Sequence, residues 1–334
     1  MRKLLLTATA LAMALGSAAP AFAEFKARNI RVSNGINQDH PVGNGLKAVD
    51  ECLQQKSNGQ MKITAFWGGA LGGDLQATQA LRSGVQEGVI SSSSPLVGLV
   101  PALGVFDLPF LFATDKEADA VMDGEFGEML NAKLADAGLI NLAYWENGFR
   151  NLTNSVRPVT KWEDVSGLKV RVMQNNIFLD TFQNLGANAT PMAFGEIFSG
   201  LETKAIDAQE NPYVTIDTSK FYEVQKYVTE TKHAYTPFLF LFSKAIFDTY
   251  SPEEQAALRE CAIVGRDVER KVIRELNAKS LEKIKAAGIE ANVLSPEEQA
   301  RIREKSLVVY EKHKAEIGAD VVDGVLAKLS ELRK

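Results

Sequence analysis

The segment from residue 29 to residue 94 constrains the fold most strongly, because strand and helix patterns alternate along it without interruption. Residues 29–35 (NIRVSNG), 60–67 (QMKITAFW) and 85–94 (VQEGVISSSS) have compositions typical of strands. Residues 40–59 and 73–84 have apolar side chains at helical spacing, and each segment ends at a glycine. This β-α-β-α-β order predicts a parallel sheet with helices packed against it, and therefore an α/β fold.

The alternation of strand and helix patterns returns further along the chain. Short strand patterns at 168–172 (LKVRV), 187–192 (ANATPM) and 205–210 (AIDAQE) are separated by helical segments. Residues 235–243 (YTPFLFLFS) are too hydrophobic for a surface strand and are predicted to return to the first sheet. Residues 103–112 (LGVFDLPFLF) are dense in apolar side chains and predict loop and strand.

Two helices near the C-terminus begin with the same capping chemistry. At Ser251 and at Ser295 a serine at the N-cap is followed by proline and then by glutamate at the third helical position, which satisfies free amide groups. The first of these starts predicts one helix from Pro252 to about Ala287. A helix of that length is long enough to cross two domains.

The first 23 residues carry the pattern of a secretory signal. Arg2 and Lys3 precede an apolar run, and Ala21 and Ala23 form a cleavage site of the A-x-A type. We therefore expect cleavage after Ala23 and a mature protein in the periplasm. The apolar run is shorter than the roughly 20 residues of a membrane span, and no later stretch is long and charge-free enough to be one.

The charge of the mature chain bears on the class of partner. The whole chain has 37 basic and 42 acidic residues, so removal of Arg2 and Lys3 leaves 35 against 42, a formal charge of −7. This balance argues against nucleic acids and anionic membranes as partners, because both require clustered Lys and Arg. A mature length of roughly 310 residues predicts two domains.

Signatures of catalysis, metal binding and redox chemistry are scarce in the sequence. The three histidines, His40, His233 and His313, form no H-E-x-x-H motif, and the glycine-rich residues 68–74 do not match a phosphate-binding loop. There is no G-x-S-x-G motif. These absences predict no metal, no cofactor and no enzymatic activity, although an enzyme acting on an organic acid remains a competing interpretation.

The two cysteines, Cys52 and Cys261, both lie in helical patterns and lack C-x-x-C spacing. A disulfide between them is the expectation for an oxidising compartment, and two buried free thiols are the alternative.

Two isolated arginines stand beside apolar strand residues. Arg150 lies in ENGFRNLTNS and Arg171 in GLKVRVMQNN, and each alone is compatible with an edge strand whose arginine points into water. Asn211 precedes Pro212 at a turn that would expose its amide. Because a guanidinium group presents paired donors that match a carboxylate, the three side chains together predict an anion site that needs no acid or base.

These residues belong to an ordered set of motifs: R-x-x-T from Arg150, G-L-K-x-R-V at 167–172, P-M-x-F-x-E at 191–196 and Q-E-N-P at 209–212. In this order the motifs resemble those of the solute-binding proteins of TRAP transporters, the tripartite ATP-independent periplasmic systems of the DctP family. The resemblance covers essentially the whole mature chain. It implies a two-lobed α/β periplasmic binding protein with a ligand cleft between the lobes and a long helix spanning both.

The resemblance also implies how the chain is divided and used. Lobe I is expected to comprise residues 24–147 and 236–276, and lobe II residues 148–235 and 277–334. Closure of the lobes on an organic acid would be the signal read by the membrane permease subunits of the transporter. We expect a monomer without a cofactor. No ATPase partner is expected, because these importers use an ion gradient.

The family motifs assign roles to individual residues of the second lobe. By resemblance, Arg171 makes the main bidentate contact with a substrate carboxylate, and Arg150 adds a second contact or fixes the first. Asn211 completes this clamp, and Phe194 packs against the ligand unless it belongs to the ordinary core. Gln174 is expected either in the pocket or as the cap of the following helix.

The first lobe is expected to supply the wall that sets specificity. Its candidates are Asn37, His40, Asp74 and Ser92, although His40 is equally suited to capping a helix and Ser92 to a plain polar turn. These groups suit hydroxyls better than a second carboxylate, which Asp74 would repel. We therefore expect a sugar acid, a hexuronate such as glucuronate or galacturonate. There are two alternatives. The ligand could be a C4-dicarboxylate such as malate or succinate, or the protein could have a sensory role and present the ligand to a membrane kinase.

Overall fold

The computed structural model describes residues 25–334, so the expected signal and its cleavage site after Ala23 lie outside the described residues. Its nine strands form one mixed sheet. The strands are β1 Arg28–Asn34, β2 Met61–Phe66, β3 Gly88–Ser92, β4 Leu139–Asn154, β5 Lys169–Val172, β6 Asn188–Pro191, β7 Ala208–Asn211, β8 Tyr227–Ser243 and β9 Glu290–Val293.

Eleven α-helices of the described chain flank this sheet. They are α1 Val42–Lys56, α2 Asp74–Arg82, α3 Asp115–Met122, α4 Glu125–Asp136, α5 Asn176–Asn184, α6 Ile197–Glu202, α7 Tyr213–Thr218, α8 Lys244–Phe247, α9 Pro252–Ala286, α10 Pro296–Ile317 and α11 Ala319–Leu332. Within residues 25–334, no helix has both the length and the apolar character that a bilayer crossing needs.

The first three strands form the predicted parallel unit. β1 lies between β2 and β3 and pairs in parallel with both, so the β-α-β-α-β prediction is confirmed. β5 lies between β6 and β7, again in parallel. The full order is β2-β1-β3-β8-β4-β7-β5-β6, and β9 pairs with β8.

The two parallel units are joined by β4 and β8. These antiparallel strands run from the pair Leu139–Ser243 to the pair Asn154–Tyr227, with three register shifts, one of them between Glu146 and Gly148. β3 pairs with the second part of β8, and β7 pairs with the last four residues of β4. Because register shifts bend strands, the sheet has two halves that meet where β4 and β8 change register.

The long helix predicted after Ser251 is present. It runs from Pro252 to Ala286 over 35 residues, and its Ser251 cap accepts a hydrogen bond from the Glu254 amide. The helix crosses α1 where two glycines allow close approach. A Cβ built on Gly265 would lie only 2.4 Å from Val49 Cγ2. Next to this crossing a disulfide joins Cys52 of α1 to Cys261 of α9.

Residues 103–112 differ from the prediction of loop and strand. Residues Pro101–Asp107 form a 3₁₀ helix, and Leu103, Val105 and Phe106 are buried in the core. A continuous apolar run has no period that separates a strand from a buried helical turn, so its pattern alone could not decide.

The C-terminal helices pack on both halves of the sheet. α10 contacts both α5 of the second half and the 3₁₀ helix of the first half, whereas α11 contacts α3 and that same 3₁₀ helix. The expected assignment of all residues from 277 to 334 to the second lobe therefore does not describe α11, because its buried face, including Val322 and Val325, joins the apolar core of the first half.

Candidate functional site

A cleft of about 510 Å³ lies where the two halves of the sheet meet. One wall comes from the segments that follow β1, β2 and β3, and the other from the segments that follow β5, β6 and β7. Asn147 of β4 and Phe238 of β8 lie between the two walls. Ligands of open α/β folds bind at the carboxyl ends of strands, and this volume is typical of small-molecule sites.

Arg171 lines the cleft from β5. This strand lies between two neighbours and is not an edge strand, so the interpretation of Arg171 as a solvent-facing residue does not hold. Its side chain is only 3% exposed. Its Nε donates a hydrogen bond of 2.9 Å to the Met192 carbonyl, while its buried Nη1 has no hydrogen-bond partner among the described residues. Arg171 therefore presents an unused donor at the cleft.

The charge of Arg171 lacks a close counter-ion in the described structure. Burial lowers the pKa of Arg171 to about 10, and the negative charge of Glu210 opposes that shift. The guanidinium therefore stays charged near neutral pH. A buried cation with a free donor is costly unless an anion completes it, so the site is suited to a carboxylate.

Arg150 occupies a different position from Arg171. It is fully buried outside the lining of the cleft, and its Nε pairs with Glu210 Oε2 at 2.5 Å. His233 Nε2 lies 3.1 Å from the same oxygen. Burial opposes ionisation of Glu210, but the charge of Arg150 and these hydrogen bonds lower the pKa of that carboxyl to about 2. Arg150 therefore has its own counter-ion.

Asn211 connects this buried ion pair to the cleft, which it lines. Its Oδ1 accepts a hydrogen bond of 3.1 Å from Arg150 Nη2, and its Nδ2 donates one of 2.6 Å to Gln209 Oε1. Both ends of the amide are thus fixed. Of the two family roles carried over to Arg150, this geometry favours fixing a neighbour over contacting a ligand.

Two further expected residues of this wall also line the cleft. The Phe194 ring lies 5.9 Å from the Phe221 ring and close to Gly35 of the opposite wall. Gln174 is half-buried in the lining, and the cap of α5 is instead Asn175, whose Oδ1 accepts a hydrogen bond from the Phe178 amide.

The first wall contains two of its four expected residues. Asp74 is the first residue of α2, and Ser92 is the last residue of β3; both line the cleft. Burial raises the pKa of Asp74 to about 6, although the charge of Arg171 and a hydrogen bond with Ser91 oppose the shift. The pKa of the half-buried Asp74 carboxyl therefore lies above its usual range, although Arg171 opposes the shift.

The structure does not bring His40 and Asn37 into the lining. His40 is fully buried, and its Nδ1 accepts a hydrogen bond of 3.3 Å from the Val42 amide at the start of α1, which is the capping alternative. Asn37 is exposed and donates a hydrogen bond of 3.2 Å to the Thr218 carbonyl at the end of α7. Both side chains contact protein groups instead of the cleft.

Several lining residues were not among the sequence-based candidates. Asn147, Thr215, Glu196 and Phe238 all line the cleft. Glu196 belongs to the P-M-x-F-x-E motif, which was a usable signal. Thr215 follows the Q-E-N-P turn on a short helix, and Asn147 and Phe238 lie within long strands, so their local patterns do not distinguish them from core residues.

The lining of the cleft combines a few charged side chains with several neutral polar ones. Its ionisable side chains are Asp74, Arg171 and Glu196, and neither Cys, His nor Lys lines this cleft in the part of the chain described. Residues 25–334 contain no cluster of three side chains that could hold a metal ion. One cation without an ion-pair partner, two carboxyls and several hydroxyl or amide groups can hold a hydroxylated acid.

Comparison with known proteins points to one family. The sequence profile of "Bacterial extracellular solute-binding protein, family 7" (DctP) matches residues 32–316. The 2,3-diketo-L-gulonate-binding periplasmic protein YiaO of Escherichia coli (strain K12) is 38% identical over 82% of this chain and 84% of its own. The C4-dicarboxylate-binding periplasmic protein DctP of Rhodobacter capsulatus is 31% identical over 98% and 97%.

A solved structure extends this likeness to the fold. The sugar acid binding protein DctPAm of Advenella mimigardefordensis strain DPN7T, in complex with galactonate, has a TM-score of 0.90 and is 46% identical. The match covers 92% of this chain and 99% of that one. The two-lobed architecture implied by the motifs is therefore supported by the whole described fold and not by the motifs alone.

Proposed function

Because the chain belongs to family 7 of the bacterial extracellular solute-binding proteins, which serve TRAP transporters, we propose that it captures a sugar acid in this cleft. Its relatives are solute-binding proteins and not enzymes, and their ligands are small organic acids. The fold is the two-lobed fold of that family.

The proposal that the ligand has a carboxylate bound by Arg171 rests on one observation. Arg171 is buried at the cleft with Nη1 unpartnered and without an ion pair among residues 25–334, whereas the equally buried Arg150 is compensated by Glu210. A carboxylate at Arg171 would supply the missing acceptor and the missing charge. Asn211, fixed from behind by Arg150, lies in the same wall.

The opposite wall favours hydroxyls over a second carboxylate. On this wall Asp74 contributes a carboxyl and Ser92 a hydroxyl. Thr215, on the wall that holds Arg171, and Asn147, between the walls, add further groups that can bond hydroxyls. A second carboxylate here would meet Asp74, and like charges repel at short range. The resemblance to proteins named for galactonate and 2,3-diketo-L-gulonate supports a sugar acid. Within this class we favour a hexuronate such as glucuronate or galacturonate.

The wider role follows from the family. We propose that the protein acts in the periplasm as a monomer after cleavage at Ala23, and that it delivers its ligand to TRAP permease subunits. Register changes of β4 and β8 support lobe boundaries near residues 147 and 235, and the contacts of α11 support its assignment to the first lobe. Closure would exclude water and strengthen the contact between Arg171 and the ligand.

A ligand screen tests the proposed class. We expect a uronate or an aldonate to raise the melting temperature of the protein in a thermal-shift assay, because a ligand that binds only the folded state stabilises it by mass action. D-glucuronate, D-galacturonate, D-galactonate, malate and succinate form the panel, and glucose serves as a control without a carboxylate.

The screen also addresses the C4-dicarboxylate alternative. That alternative has support from the resemblance to the Rhodobacter capsulatus protein, which is named for C4-dicarboxylates. Stabilisation by malate or succinate alone would overturn the sugar-acid proposal while leaving the family unchanged. Stabilisation by glucose without any acid would contradict the role given to Arg171.

The affinity for a sugar acid is expected to fall as pH rises from about 5 to about 8, by severalfold. A bound carboxylate screens Asp74 from the charge of Arg171, so the pKa of Asp74, about 6 in the free protein, rises further in the complex. Binding therefore takes up protons, and affinity is highest while Asp74 is protonated. Calorimetric titrations across this pH range measure the effect.

The matched control is Asp74→Asn. This variant removes the titrating carboxyl and keeps a side chain of similar shape, so the pH dependence should flatten while binding persists. An unchanged pH profile in Asp74→Asn would show that another group causes the pH dependence of binding and that the pKa of Asp74 does not respond to the ligand.

A further inference from the structure

A chain of polar side chains links the start of α1 to the opposite wall of the cleft. His40 Nε2 lies 3.4 Å from Thr215 Oγ1, and Thr215 Oγ1 lies 3.4 Å from Asn147 Oδ1. His40 belongs to the segment before α1, Thr215 to α7 and Asn147 to β4. Thr215 and Asn147 line the cleft, whereas His40 is fully buried behind it.

The hydrogen bond from α1 determines which nitrogen of His40 donates and which accepts in this series of hydrogen bonds. The Val42 amide donates to His40 Nδ1, so Nδ1 is an acceptor and the proton of a neutral ring resides on Nε2. Burial lowers the pKa of His40 to about 3, which keeps the ring neutral around pH 7. His40 therefore donates towards Thr215.

Thr215 accepts a hydrogen bond on one side and donates one on the other. Because its oxygen accepts from His40, its single hydroxyl proton is free to donate to Asn147 Oδ1. Asn147 Nδ2 donates to Thr236 Oγ1 at 3.2 Å, and Thr236 also accepts from Arg150 Nη1 at 3.2 Å. The second lone pair of Thr215, a residue that lines the cleft, is then left to accept another hydrogen bond.

We propose that His40 is a positioning residue that sets ligand selectivity, because its hydrogen bond orients Thr215 as an acceptor for a ligand hydroxyl. A hydroxyl group can donate to an oriented acceptor, but a carboxylate cannot. This series of hydrogen bonds thus favours a hydroxy acid over a dicarboxylate at this position. This inference rests on the proposed sugar-acid function and adds a mechanism for its selectivity.

The link also joins two segments that come from different halves of the molecule. Beside it, the exposed Asn37 donates to the Thr218 carbonyl at the end of the same short helix α7. His40 and Thr215 are 175 positions apart in sequence. Thr215 is therefore oriented only when α7 contacts the segment that precedes α1. Recognition of a ligand hydroxyl by Thr215 is thus coupled to the approach of the two walls.

Two substitutions at His40 separate its two hydrogen bonds. In His40→Asn the amide oxygen can still accept from the Val42 amide, but the side chain is too short to reach Thr215. In His40→Gln the longer amide can donate to Thr215, but the cap of α1 is weakened. Thr215→Val removes the hydroxyl itself and leaves His40 in place.

Calorimetric titrations with D-galactonate, D-galacturonate and succinate measure the effect. The expected result is that His40→Asn weakens sugar-acid binding about five- to tenfold, the usual range for one neutral hydrogen bond, with little change for succinate. Thr215→Val should give a similar loss, and the double variant should lose little more than either single variant. His40→Gln should recover most of the affinity.

The outcomes distinguish this inference from the proposed function. If the unaltered protein binds neither sugar acid, the proposed function fails. If it binds one, and His40→Asn binds that acid within twofold of the unaltered protein, the role of His40 is wrong. Equal losses for the sugar acid and succinate would indicate a purely structural role and would also overturn it. If His40→Asn does not fold, His40→Ala takes its place and is judged by the same ratio of affinities, with His40→Gln as the variant that keeps the donor to Thr215.

A spectroscopic measurement tests the direction of the chain independently. Nitrogen-15 NMR of the unaltered protein should show His40 Nδ1 as the unprotonated nitrogen and Nε2 as the protonated one around pH 7. A proton on Nδ1, or a charged ring in this range, would contradict the orientation on which the inference depends.

Discussion

Replacing Arg171 by alanine is expected to weaken sugar-acid binding at least a hundredfold. The unaltered side chain is 3% exposed and offers an unpartnered Nη1 to the cleft. Loss of a desolvated charged partner for a carboxylate costs about 2–5 kcal/mol, and a hundredfold corresponds to about 2.7 kcal/mol. Isothermal titration calorimetry with D-galacturonate and D-galactonate measures the loss.

Two further variants make this result interpretable. Arg171→Lys keeps the charge and loses the paired donors, so its affinity should fall between those of the unaltered protein and Arg171→Ala. Arg303→Ala, on the exposed face of α10, removes an arginine outside the lining and should bind normally. Near-normal binding by a folded Arg171→Ala would exclude Arg171 as the carboxylate ligand.

Replacing Glu210 by glutamine is expected to lower the free energy of unfolding by about 3–5 kcal/mol, the usual cost of removing one partner of a buried ion pair. Glu210 and Arg150 are both fully buried, so the charge of Arg150 would remain without a counter-ion. Urea denaturation without ligand measures the change. The expected change is in stability first, because neither side chain lines the cleft.

The control for this variant is the pair Arg150→Met with Glu210→Gln. Removing both charges should recover part of the stability, because the cost arises from the unpaired charge rather than from the lost contact. If the double variant were less stable than Glu210→Gln by the full cost of a second independent substitution, charge compensation would not explain the effect.

The same pair predicts a pH dependence. The pKa of Glu210 is lowered to about 2 in the folded protein, below the usual value of about 4.3 for the unfolded chain. The stability it contributes is therefore fully present above about pH 4.5 and is lost as pH falls towards 2. The difference in unfolding free energy between the unaltered protein and Glu210→Gln should therefore decrease as pH falls from about 4.5 towards 2.

The two arginines illustrate the limit of local patterns at this site. Arg150 and Arg171 both stand beside apolar strand residues, and the motif resemblance placed both near a carboxylate. The tertiary structure separates them, because Glu210 lies beside Arg150 through the pairing of β4 with β7. No residue close to Arg150 in sequence carries that carboxylate, so its compensation was invisible in the local pattern.

The first wall shows the same limit. His40, Asn37, Asp74 and Ser92 were all candidates for this wall because each carries a polar side chain. Asp74 and Ser92 line the cleft, whereas His40 turns to the α1 amide and to Thr215, and Asn37 bonds the end of α7. Which side chains face a cleft depends on how two distant segments meet, and that is a property of packing.

Local sequence patterns were sufficient to predict the alternation of strands and helices, the capped start of the long helix, the parallel unit at the N-terminus and the family. These features depend on side chains within a few residues of one another, where spacing and capping chemistry act directly. Tertiary structure alone decided which arginine keeps an uncompensated charge, which polar groups reach the cleft and where α11 packs. Those outcomes depend on contacts between residues 60 or 175 positions apart, for which no local pattern carries information.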